Sequence, residues 1–73
     1  MMNSDNLFYR AALKSFEAQR EEAIATLELY FHHSVAIADH SQILNEIKNW
    51  TSKLASAQEN IKVLKEFFYT DNY

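Results

Sequence analysis

The chain has 73 residues with no Gly, Pro or Cys, 48% apolar and 23% charged residues, and a formal net charge of −3. That is room for one small domain, residues 1–73, and it excludes disulfide scaffolds, Cys-based metal sites, collagen and Gly-rich phosphate loops. Enough Leu, Ile, Val and aromatic residues are present, at modest net charge, to mark a folded chain rather than a disordered one.

The first five residues, Met1 to Asp5, are polar and lead into Leu7-Phe8-Tyr9-Arg10. A secretory signal needs a basic start and an uninterrupted apolar run, so the expected location is cytoplasmic, or the cytoplasm of a host. Asn3, Ser4 or Asp5 is expected to cap the first helix. From there a stripe runs through Leu13, Phe16, Arg20, Ile24, Leu27, Phe31, Val35 and Ala38, with Tyr9, Ala23, Tyr30 and Ile37 beside it. This spacing predicts a helix over about 5–38, and its width implies more than one neighbour.

Arg20 interrupts that stripe. A charge there has to snorkel or pair, and Glu17, Glu59 or Asn60 is the expected partner, fixing the register of the packing. An arginine held ready for an anionic partner is the functional alternative.

Three histidines, His32, His33 and His40, follow close to Glu28 and Asp39. Glu28 and His32 stand one turn apart and are the weak candidates for a metal. His33 and His40 are separated by about 10 Å of helix, and neither His-Glu-x-x-His nor Glu-x-x-His occurs. The simpler reading is a set of polar residues at a helix end, with no metal and no cofactor. Ser34, Ser41, His33 and Asp39 hold the atoms of a hydrolytic triad, but helices bring them no nucleophile elbow or oxyanion hole. No catalytic residue is assigned, and an enzyme is not expected.

A second stripe, Ile43, Ile47, Trp50, Leu54, Ala57, Ile61, Leu64 and Phe68, alternates steps of four and three, the seam of a helix packed on another helix. It predicts a helix over about 42–69 and a frayed tail at 70–73. Run backwards, its heptad meets His40, Ala36, His33, Leu29, Thr26, Glu22, Gln19 and Ser15, which are mostly polar, so the two stripes are out of phase. A turn at about 39–41 follows, with Asp39 and Gln42 as a capping box and Ser34 as the second choice of break. Antiparallel pairing then joins positions whose numbers sum to about 80: Phe16 with Leu64, Ala23 and Ile24 with Ala57, Tyr30 and Phe31 with Trp50, Ile37 with Ile43.

The fold class is therefore all-α, an antiparallel two-helix hairpin. Phe8, Leu29, Leu44, Val63 and Phe67 fall off both seams and would stand in water in a monomer. Ordering a residue costs about 1.5 kcal/mol, more than one seam returns, so the hairpin is expected to pair as a homodimeric four-helix bundle. Phe8, Leu29, Leu44, Val63, Phe67 and Tyr69 are the candidate interface residues. The expected partners are a second copy and another protein.

Lys48, Lys62, Lys65, Arg10 and Lys14 are the residues a nucleic-acid-binding bundle would use. Glu59 and Glu66 are interleaved with them, which reads more simply as a solvated face with intrahelical pairs. Blocks such as Val35-Ala36-Ile37-Ala38 are far shorter than the ~18 apolar residues a membrane span requires. In size and hairpin form the chain resembles the short helical accessory proteins of the plasmid-copy-control type, which dimerise into four-helix bundles. No motif matches them residue by residue.

Overall fold

A computed structural model describes residues 6–33 and 40–68, and among these every residue except Asn6 is helical. Helix α1 spans Leu7–His33 and helix α2 spans His40–Phe68. They pack against each other as an antiparallel hairpin, which is the predicted architecture.

Asn6 sets the start of α1. Its side-chain Oδ1 accepts from the backbone N–H groups of Phe8 at 2.9 Å and Tyr9 at 3.1 Å, and its carbonyl takes the first helical bond from Arg10 N–H at 3.0 Å. Two of the four donors that every helix start leaves unsatisfied are thereby met. The expected caps Asn3, Ser4 and Asp5 lie outside the described residues; the capping bonds belong to Asn6. Changing Asn6 to Ala is expected to cost about 1 kcal/mol and lower the melting midpoint by roughly 4–8 °C in circular dichroism, while Asp at this position retains most of it. An unchanged midpoint in the Ala variant would remove the capping role.

At the far end the described part of α1 stops at His33, and α2 begins at His40, two residues before its expected start. Residues 34–38 of the expected first helix, Asp39 with its capping box, and the tail after Phe68 lie outside the described residues. His40 and Ser41, expected in the turn, belong to α2.

The core is narrow. Tyr9, Ala23 and Leu27 from α1 meet Ile43, Ala57 and Ile61 from α2, all buried. Leu13, Phe16, Arg20 and Tyr30, with Ile47, Trp50, Leu54 and Leu64, are half-buried along its margins. Two residues of the first stripe, Ile24 and Phe31, are exposed instead, as is Phe68 on the second. A single neighbouring helix covers only part of so wide an apolar arc, and Phe68 has only the first turn of α1 to lie on.

Two cross-helix hydrogen bonds give the register. Arg20 Nη1 donates to Gln58 Oε1 at 3.2 Å, and the Tyr30 hydroxyl donates to Glu46 Oε2 at 3.3 Å. Tyr30 is thus bonded about one helical turn nearer the connection than its expected partner Trp50. The two bonded pairs have numbers that sum to 78 and 76, a little short of the expected sum of about 80. The expected Ile37–Ile43 pair involves a residue outside the described set.

The product is a rod. Its extents are 55 × 16 × 15 Å, and its radius of gyration is 16.2 Å against about 11 Å for a compact chain of this length. Its surface of 5610 Å² exceeds the roughly 4,700 Å² of a compact monomer of 8.6 kDa.

Candidate functional site

The two hydrogen bonds also mark the two flanks of the hairpin. Glu46 and Gln58 are twelve residues apart, about 120° around α2, on either side of the buried line through Ile43 and Ile61. Counting by sevens from Glu46 reaches Lys53, Asn60 and Phe67. Counting back from Gln58 reaches Thr51 and Leu44.

The Tyr30–Glu46 flank is polar toward the connection and apolar toward the open end. Beyond Tyr30 and Glu46 lies a groove lined by Gln19, Glu22, Trp50, Lys53 and Ser56. There the Lys53 ammonium sits 4.0 Å from the centre of the Trp50 ring, a cation–π contact. Farther along, Phe8, Tyr9, Ala12, Leu64 and Phe68 line a notch of about 290 Å³. Phe8 stands on its rim at 81% exposure, and Phe67 beside it at 60%.

The Arg20–Gln58 flank has the reverse order. Ile24 and Phe31, one heptad apart on α1, join Leu44 and half-buried Ile47 on α2 in an apolar patch near the connection. The partner of Arg20 across the hairpin is Gln58, not the expected Glu59 or Asn60. This amide contact lies in solvent at the margin of the seam.

Glu28 and His32 line one shallow depression, with Ala25, Leu29 and His33. All five belong to α1, so α2 brings no further ligand to them. Among the described residues no group of three or more His, Asp or Glu side chains is placed to hold a metal ion. Arg10, Lys14, Lys48, Lys62 and Lys65 are exposed. No described helix is long and apolar enough to cross a membrane.

No family model, curated protein sequence or solved structure matches this chain. Any functional reading therefore rests on the surface just described. Of the candidate interface residues, Phe8, Leu29, Leu44, Val63 and Phe67 are all exposed, whereas Tyr69 lies outside the described residues. Sequence spacing did not separate them by flank, and it did not single out Ile24, Phe31 and Phe68. Seam periodicity assigns those three to the core; only the arc covered by the opposite helix reveals that they are uncovered.

One titrating group links the helices. The Tyr30 phenol is raised above its ordinary 10.0, first by desolvation and then by the Glu46 charge and the hydrogen bond to it. A phenol with a raised folded pKa contributes stability that is whole below the unfolded value and is lost as pH climbs through the folded one. The difference between absorbance titrations of wild type and Tyr30→Phe is expected to show a phenol ionising above pH 10.0. A midpoint at or below that value would remove the link to Glu46.

Proposed function

We propose that this protein is a non-enzymatic interaction module, a helical hairpin that self-associates through exposed aromatic surface and presents its remaining face to another protein. The observation that carries this reading is the exposure of Phe8, Phe31, Phe67 and Phe68, at 81, 62, 60 and 43%. With side chains of roughly 200 Å² each, Phe8, Phe67 and Phe68 leave roughly 370 Å² of aromatic surface in water at the open end, within the range of the largest patch on a typical monomer, and Phe31 stands apart on the other flank. Leu7, Leu29, Leu44 and Val63 are exposed as well. Patches of this size mark interaction surfaces, and aromatic residues are the usual anchors within them.

Self-association is the first use because one seam provides little burial for so extended a chain. A second hairpin laid alongside turns a two-helix contact into a bundle with a second layer of packing. Light scattering behind a sizing column is the test. A mass twice 8.6 kDa at high micromolar concentration supports the reading, and a mass of 8.6 kDa held up to about 1 mM removes it.

A further inference from the structure

Resting on the self-association reading, we infer that the second copy docks on the open-end notch of the Tyr30–Glu46 flank, with the two hairpins antiparallel and their connection ends pointing away from each other. Three observations lead there.

The first is shape. An isologous contact requires one patch to carry both the projection and the recess that receives it. The open end has both: the apolar notch between Phe8, Ala12, Leu64 and Phe68, and Phe67 alongside it. A twofold axis through this patch lets the Phe67 ring of each copy enter the notch of the other.

The second is charge. Residues 21–54, the half nearer the connection, carry five acids (Glu21, Glu22, Glu28, Asp39, Glu46) against two lysines, Lys48 and Lys53. The rest of the chain carries five acids against five bases and is neutral. Pairing through the Ile24–Phe31–Leu44 patch sets one acidic half on another, and so does a parallel pairing at the open end. Antiparallel pairing at the open end joins neutral halves and holds the acidic ones beyond the Debye length of about 8 Å.

The third is area. Phe8, Phe67 and Phe68 expose roughly 370 Å² per copy, so two copies cover roughly 700 Å² of aromatic surface before Val63 and Leu64 are added. This lies at the low end of interface sizes, where contacts are weak and reversible, so the dimer is sought at micromolar concentrations and above. Sliding one copy so that open end covers connection end would lay the notch on the polar Tyr30–Glu46 stretch.

The test combines sedimentation equilibrium with distances between spin labels. Phe67→Ser is expected to weaken the dimer at least tenfold, because the loss occurs twice across the twofold axis, whereas Phe31→Ser changes it less than threefold. Both sites are exposed, and unchanged helicity by circular dichroism shows that each variant is folded. The chain has no cysteine of its own, so Glu59→Cys and Lys48→Cys each place one label per copy on the outer side of α2. Antiparallel open-end pairing puts the Glu59 labels about 30 Å apart and the Lys48 labels beyond about 50 Å, from the rise of ~1.5 Å per residue. Short distances at both sites, or a short distance at Lys48 alone, overturn the placement while leaving self-association standing. So does a dimer broken by Phe31→Ser and indifferent to Phe67→Ser. A wild-type monomer at every concentration overturns both.

Discussion

Replacing Ile61 by Ala is expected to unfold most of the hairpin at 37 °C. Ile61 is 3% exposed and is one of six buried apolar residues among the described residues. Truncating a buried Ile costs about 2–5 kcal/mol, the lost transfer energy plus the cavity left behind. The hairpin has few other contacts to draw on, since its two helices meet along one narrow line and a small single core rarely supplies more than about 3–5 kcal/mol. The check is the helical signal at 222 nm followed through a urea titration. Wild type is expected to show a cooperative transition and Ile61→Ala a midpoint moved to near zero denaturant. The matched control is Leu44→Ala, which deletes a similar volume from an exposed position and is expected to change stability by less than about 1 kcal/mol. Equal losses at the two positions would mean that the burial described above is not what holds the helices together.

The second large effect expected is a melting midpoint that depends on protein concentration. If the folded hairpin pairs and the unfolded chain does not, association adds stability by mass action. For a micromolar dissociation constant, going from about 5 to 500 μM adds on the order of 1 kcal/mol per chain, and the midpoint rises by roughly 5–10 °C for a domain of this size. Phe67→Ser is expected to flatten this dependence, its midpoint staying at or a few degrees below the wild-type value at about 5 μM. A midpoint that does not move across the hundredfold range would exclude stabilisation by pairing.

Much of the fold was legible in the residue pattern. Two stripes of period near 3.5, out of phase with each other, require two helices that fold back, and that is the arrangement found. The period is a property of one helix alone, so it survives in sequence. Register is not. It depends on which side chains meet across the two helices, and the bonded pairs Arg20–Gln58 and Tyr30–Glu46 fall two to four positions short of the expected sum of about 80. The cap was misplaced for a similar reason: Asn3, Ser4, Asp5 and Asn6 all have suitable side chains, and only backbone geometry selects Asn6. The off-seam positions Phe8, Leu29, Leu44, Val63 and Phe67 were legible as exposed, because a residue far from the buried line cannot be reached by one partner helix. The exposure of Ile24 and Phe31 was not, because they sit inside the stripe and are left bare only by the limited width of α2.

Trp50 has a consequence of its own. It is the only indole in the chain, half-buried at mid-length, with Lys53 over its ring and Gln19 and Glu22 of the opposite helix across the groove. Parting the helices takes that wall away and leaves the ring among solvent molecules. The molecule thus contains its own fluorophore, placed so that the colour of its emission follows the distance between the two arms without any added dye.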